Sequence, residues 1–392
     1  MADSSMFQPR NLAAIAFCVA FVSSLSKASA ADIHLDVGAF TEVAAGRHAH
    51  CGADDIPDQP LRAYRDSVGR TIAIASHYNV RLMLGRDVDH LSKNCELALV
   101  ARGSGDPAAF SDKTWLAAVW TKDGKNIFGL AHNEFQGHRH VGACSYLKYS
   151  ECWYNGVVAA RSENGGATFV LPIPPIVIAA PSFTQDKHQG RPRGYFEPSN
   201  IIKLGERWFT FIYNTGNVGQ PSGACLFSTD DIANSSSWRG YDGRSFDVIY
   251  TNPYVTPEDG YRPIASCAPV GPFGAAVGSL LKHEPSSLII AIYVSRHASG
   301  RAYLMKSTSR DLLQWSRPEQ VIELGPSSGN GNCNDKYRYM YPSLIDPKSE
   351  SRNFETTASD TIRLFVTRIE LSNCRDTMVR DLVYAPVTLS VN

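Results

Sequence analysis

The stretch GYFEPSNIIKLGERWFTFIYN (194–214) sets a carboxylate ahead of a strand-like run, then a Gly-containing turn, a second strand-like run and a closing polar pair. The same arrangement recurs as RAYRDSVGRTIAIASHYN (62–79), DKTWLAAVWTKDGKNIFGLAHNE (112–134), SCAPVGPFGAAVGSLLKHEPSSLIIAIYVSRH (266–297) and MYPSLIDPKSESRNFETTASDTIRLFVTRIE (340–370). The two strands of a hairpin run antiparallel, so the start of the first and the end of the second lie at one end. Five such hairpins predict an all-β, single-domain, five-bladed β-propeller. Every blade then delivers its polar residues to one face of the ring.

Between the hairpins, VVAARSENGGATFVLP (157–172), ACLFSTDDI (224–232) and AYLMKSTSRDLLQWSRP (302–318) read as outer strands. Each ends in a Ser-rich, Asx-containing turn with an aromatic residue further on, a chemistry that satisfies local backbone and seats a ring between sheets. Frequent Gly and Pro, with no long helical period after the first residues, favour β structure. RDLVYAPVTL (380–389) is expected as a late strand of the fifth blade, with DIHLDVGAFTEV (32–43) adding to it and closing the ring, which removes exposed edges. The polar loops 47–60, 137–152, 181–193 and 325–339 are long enough to be functional.

Residues 1–30 read as a secretory leader. Arg10 precedes an apolar run from Leu12 to Val22, and Ala28, Ser29 and Ala30 form a small-residue cleavage site. That run is too short for the roughly 20 residues a membrane span needs. The expected protein is therefore secreted or periplasmic, cleaved near Ala30, without membrane insertion and monomeric. Its 38 basic and 38 acidic side chains balance, which argues against nucleic acid as a partner. Cys18 leaves with the leader, and eight cysteines remain, an even number that favours disulfides in an exported chain. Proximity favours Cys144 with Cys152, Cys51 with Cys95, Cys225 with Cys267, and Cys333 with Cys374.

Gathering the hairpin ends yields the candidate site. The first contributes Arg65, Asp66 and His77; the second His132, Asn133 and Glu134; the third Glu197, Asn200 and Tyr213; the fourth Arg296 and His297; the fifth Tyr341 and Arg368. Paired carboxylates with Arg, His and aromatic hydroxyls suit a polyhydroxylated ligand, so carbohydrate is the expected partner. Trp115, Trp120, Trp208 and Trp315 are assigned to packing, and Trp153 and Tyr154 to the neighbourhood of a loop site.

The runs YRDSVGRTIAIASHYN, EPSNIIKLGERWFTFIYN and YPSLID resemble the five-bladed glycosidases of the arabinanase, β-xylosidase and invertase-like groups, and the chain also resembles uncharacterised secreted bacterial proteins of that type. SENGGATF (162–169) resembles the Asp-box of sialidases, and STSRDLLQWS (307–316) a turn recurring in five-bladed glycosidases; both are structural motifs. The resemblance implies a glycoside hydrolase-like enzyme with Asp66 as base or nucleophile, Glu197 as acid and Glu134 as the third carboxylate. It departs from the usual pattern in offering HNE where those families place Asp. Glycosidic cleavage needs one carboxylic acid to protonate the leaving oxygen and one carboxylate to activate water or attack.

Each assignment has a plainer counterpart. Asp66 is equally suited to capping a turn before Gly69, and Arg296 and Arg368 suit either clamping the carboxylate of an acidic sugar or pairing with acids of the cup. His132, His138 and His140 with Glu134 invite zinc, but the spacing fits no zinc motif. No cofactor is required, and the central channel leaves room for a structural calcium ion. The alternatives to hydrolysis are a non-catalytic carbohydrate-binding or surface-interaction propeller, and metal-dependent hydrolysis of a phosphate ester.

Overall fold

The computed structural model describes residues 32–43, 51–181, 189–217, 219–256, 260, 265–327 and 334–391. The expected leader and Cys333 lie outside them. The chain from Asp32 onward forms one unit, an all-β, five-bladed propeller whose blades are built on the five hairpins read from the sequence.

Blade one holds Arg62–Arg65, Thr71–Ile74, Val80–Gly85 and Leu91–Leu99, and blade two Lys113–Thr121, Ile127–Gln136 and Trp153–Ser162. In blade three the inner strand is split into Arg193–Phe196 and Ile202–Leu204, followed by Arg207–Asn214, Gly223–Thr229 and Arg239–Tyr241. Blade four holds Val277–His283, Leu288–Arg296, Arg301–Ser309 and Glu319–Pro326, and blade five Tyr337–Ile345, Thr361–Ser372 and Arg375–Val391. The N-terminal strand Ile33–Val37 pairs antiparallel with the C-terminal one, Ile33 opposite Val391 and Val37 opposite Val387. This covers the edge of the last blade, as the sequence led us to expect.

Strand faces alternate, so each blade buries one set of side chains against the next. Tyr64, Ile72 and Leu82 of blade one pack with Leu116, Ile127 and Val158 of blade two. Leu130 and Val157 continue into Ile212 and Phe227 of blade three, and Phe211 and Leu226 into Leu280, Ile289 and Ala291 of blade four. Phe365 and Ile345 of blade five meet Ala63, Ala73 and Met83 of blade one. The Asx turns sit as expected. Asn164 Oδ1 accepts from Ser162 Oγ at 2.8 Å and from the Thr168 N–H at 3.0 Å, with Phe169 buried beyond. Asp311 Oδ1 accepts from the Leu313 and Gln314 N–H groups, and Trp315 packs on Phe273.

Three of the proposed disulfides are present: Cys51–Cys95, Cys144–Cys152 and Cys225–Cys267. Cys374 is also disulfide-bonded.

At the axis the inner strands are held by one buried guanidinium. Arg62 donates from Nε to Ala117 O at 2.8 Å, from Nη1 to Gly278 O at 2.8 Å and from Nη2 to Pro198 O at 3.0 Å, joining four blades. Burial lowers its pKa to about 9, which still leaves it a cation at neutral pH. Those three carbonyls are the kind of oxygen ligand a calcium ion takes. Here the donors of Arg62 bond all three. Gly278 is obligatory in this packing, because a Cβ there would lie 2.4 Å from Pro342 O.

Candidate active site

Blade one presents its carboxylate to the axis from a different position than the sequence suggested. Its inner strand is only four residues long, Arg62–Arg65. Asp66 therefore falls in the turn beyond it, at the far end from the cup. Its Oδ1 accepts from the Val68 and Arg70 N–H groups at 3.0 and 2.9 Å, and its Oδ2 from Arg70 Nε at 2.8 Å. Burial works to raise its pKa, but these bonds hold the carboxyl below the usual range. Arg65 is at the same end, bonded to Ser351 O at 2.8 Å and stacked over Phe354.

Asp58 takes the place expected of Asp66. It lies in the loop that leads into blade one, and with Glu134 and Glu197 it lines a niche of about 40 Å³ beside the axis. Glu134 lies two residues from the end of the second strand of blade two, opposite Lys113. Glu197 opens blade three from within the split inner strand. Its backbone is left-handed, φ 37°, as is that of Tyr341 at 57°, whose strand shifts register between Met340 and Ser343. Two such non-glycine residues facing one niche mark strain of the kind that collects at functional sites, at roughly 1–3 kcal/mol each. The segment before Glu197 is fixed by Gly194, where a Cβ would lie 2.1 Å from Asn155 O on blade two.

The three acids differ in partners. Asp58 is ion-paired with Arg380, accepts from Tyr341 Oη at 3.2 Å and lies 3.5 Å from His77 Nε2. Glu134 accepts from Gln136 Nε2 at 2.9 Å. No ion pair forms at Glu134 or Glu197 among the described residues. Burial, with the charges of Asp58, Glu197 and Asp112, raises the Glu134 pKa to about 8, against the bond from Gln136. Burial and then Asp58 raise Glu197 to about 7, against the pull of Arg62 and Arg296. Two carboxyl groups with raised pKa values, Glu134 and Glu197, thus share the niche with Asp58, and carboxyls that titrate near neutral pH are what acid–base chemistry uses.

His132, also on the niche wall, is neutral because burial lowers its pKa to about 4, and its Nε2 donates to Asn155 Oδ1 at 3.1 Å. Burial likewise lowers His77. Trp115, expected in packing alone, lines the niche and meets the rings of His77 and His132 at 5.4 and 5.8 Å.

The niche opens into a chamber of about 590 Å³ between blades three, four and five, and Glu197, Tyr341 and Pro60 line both spaces. Tyr213 and Arg296 face this chamber.

The remaining sequence candidates lie elsewhere. Asn133 is buried and donates to Lys113 O and Thr114 Oγ1, because alternation along its strand turns it away from the niche occupied by His132 and Glu134. Asn200 clamps blade four, donating to Leu280 O at 2.9 Å and accepting from the Leu280 N–H at 2.7 Å. His297 is exposed beside Tyr303. Arg368 is held by Asp381 at 2.8 Å and by Glu42. The zinc set disperses: His138 packs on Tyr149, and His140 pairs with Asp112 at 3.0 Å. Among the described residues no group of three or more His, Cys, Asp or Glu side chains is placed to hold a metal. None of their helices is long and apolar enough to cross a membrane.

No family model matches the chain, and no curated protein matches it. Solved structures do. A family 117 glycoside hydrolase from the marine bacterium Zobellia galactanivorans aligns over 91% of this chain and 90% of its own, with TM-score 0.51 and 9% identity. The fold is shared with a glycoside hydrolase. The catalytic domain of the family 62 α-L-arabinofuranosidase of Coprinopsis cinerea covers 91% of this chain and 97% of its own at TM-score 0.48 and 10% identity. The α-L-arabinanase of Cellvibrio cellulosa covers 84% and 91% at TM-score 0.44 and 11% identity.

Proposed function

We propose that this propeller is an exported glycoside hydrolase that cleaves a poly- or oligosaccharide in the chamber, with Glu197 as general acid and Asp58 as general base. The observation that carries it is the meeting of Asp58, Glu134 and Glu197, from three blades, in one niche beside a chamber large enough for a sugar. Glu197 borders both spaces, so its proton reaches the glycosidic oxygen of a sugar in the chamber. The niche, at about 40 Å³, has room for a water molecule, which needs roughly 10–15 Å³ of such space. Asp58 takes a proton from that water as its oxygen bonds to the anomeric carbon and the C–O bond to the leaving sugar breaks toward Glu197. Such a path inverts the anomeric configuration. Glu134, protonated near neutral pH, donates a hydrogen bond to that water, and Trp115 forms part of the niche wall around it.

No metal or cofactor enters this scheme. Export and cleavage near Ala30 fit the three disulfides, and the scheme needs only a monomer. The decisive experiment is hydrolysis of a panel of plant, algal and bacterial glycans, with and without chelator, followed by NMR of the first product. Turnover indifferent to chelator, releasing the inverted anomer and lost in Glu197→Gln, is expected. A retained anomer would move Asp58 from base to nucleophile.

The ion pair between Asp58 and Arg380 favours a second reading, a carbohydrate-binding propeller, because a carboxylate so paired already has its oxygen engaged by a protein donor. Calorimetric binding of oligosaccharides without turnover of any would select it.

A further inference from the structure

Most arginines of the cup and its rim have fixed partners, and one does not. Arg62 spans three carbonyls, Arg380 pairs with Asp58, Arg368 with Asp381 and Glu42, and Arg338 with Asp376. Arg296 ends the second strand of blade four and lines the 590 Å³ chamber, and its guanidinium has no hydrogen-bond or ion-pair partner among the described residues. Among the described residues, the only other charged residue lining that chamber is Glu197. Burial raises the Glu197 pKa to about 7, so below that pH the cation dominates the chamber. Much of the remaining wall is apolar, with Phe196, Pro272, Ala275, Ala276 and Met340. Arg296 is exposed, so its guanidinium is open to an entering ligand, and a neutral polyol offers it no counter-charge.

We propose that Arg296 selects a sugar bearing a carboxylate, a uronic acid, and binds that carboxylate through its fork of N–H donors. This rests on taking the chamber as the sugar site. The planar guanidinium matches a carboxylate with two parallel hydrogen bonds, which a hydroxyl pair cannot supply at equal strength. Bound this way, the sugar presents its ring to Glu197 and Tyr341, which share the same wall.

The test is calorimetric titration of the full chain at pH 6 with galacturonate and glucuronate, against galactose, glucose, the two uronate methyl esters and a sulfated galactose. The uronates should bind at least tenfold more tightly than the neutral sugars and the esters, and Arg296→Met should abolish that margin while leaving neutral-sugar affinity within twofold. Added salt should shrink the margin in the wild type and not in the variant. Equal affinity for uronates and their esters, a margin that survives in Arg296→Met, or tighter binding of the sulfated sugar each overturns it. If the uronate margin holds but no uronide is hydrolysed, the catalytic proposal fails and this one stands. If neutral glycans are hydrolysed with no uronate margin, the reverse is true.

Discussion

Asp66 and Asp58 bracket the same four-residue strand, one at each end, and their surroundings differ in kind. Asp66 is buried and answered locally, by two N–H groups and a guanidinium within four residues of it. Asp58 is answered from far away in the chain, by Arg380 and Tyr341 of blade five and His77 of blade one. A carboxylate satisfied by its own turn stabilises that turn and has nothing left for a ligand. One held by side chains converging from other blades sits where the inner strands meet, beside two carboxyls whose pKa values are raised. If the proposed mechanism holds, locality of partners separates the structural acid from the chemical one.

That contrast is broken or upheld most sharply by substituting each acid alone. Asp58→Asn should lower kcat by about 10²–10⁴, the usual worth of a positioned acid or base, on whichever glycan the panel yields. Asp66→Asn should leave kcat within about twofold and instead lower stability by about 1–3 kcal/mol, by weakening charge-assisted bonds. The folded-state pKa of Asp66 is depressed. Its contribution is therefore present above the unfolded value of about 4 and fades as pH falls through the folded one. Urea titrations at pH 7 should separate wild type from Asp66→Asn, and the gap should narrow as pH falls below about 4. Loss of turnover in Asp66→Asn with unchanged stability would reverse the assignment.

The propeller was legible because a hairpin with polar ends leaves a local imprint: alternation, a turn, then a cluster. Closure by 32–43 was legible because a lone early strand needs an edge. Glu134 and Glu197 could be read because each stands at a hairpin end, and Glu197 precedes a proline where a solvated charge is unexpected. Asp58 could not be singled out because CGADDIPDQP holds three acids within five residues. Asp55 is buried against Lys93 at 2.7 Å, Asp54 pairs with Asn79, and only Asp58 reaches the niche. The usable signal was its place ahead of Pro60 and the inner strand, which parallels Glu197 ahead of Pro198. Arg62 at the axis was hidden for another reason: its partners are carbonyls of three other blades, and backbone oxygen carries no sequence signature.

The loop that carries Asp58 is pinned by Cys51–Cys95, whose cysteines are 44 residues apart, whereas Cys144–Cys152 spans only 8. In the chain-entropy account the first is worth about 4 kcal/mol and the second about 2.5. Cys51→Ala with Cys95→Ala should therefore cost more stability in urea than Cys144→Ala with Cys152→Ala. It should also reduce kcat, since Asp58 lies seven residues past Cys51. Equal stability losses in the two pairs, or an intact kcat in the first, would detach the site from this clamp.

The smallest effect lies in the pH profile. The acid must carry its proton, and the Glu197 pKa is about 7, so kcat/KM should fall tenfold per pH unit above that value. Arg296 pulls the Glu197 pKa down by favouring its anion. Removing the guanidinium in Arg296→Met relieves that pull, so the alkaline limb should move to higher pH by a fraction of a unit, with a larger displacement at low salt because the guanidinium is exposed. A pH–rate series on a neutral aryl glycoside isolates this electrostatic effect from any role in holding a substrate carboxylate. A limb that moves the other way, or that persists in Glu197→Gln, would assign the proton to Glu134, whose pKa is also raised, to about 8.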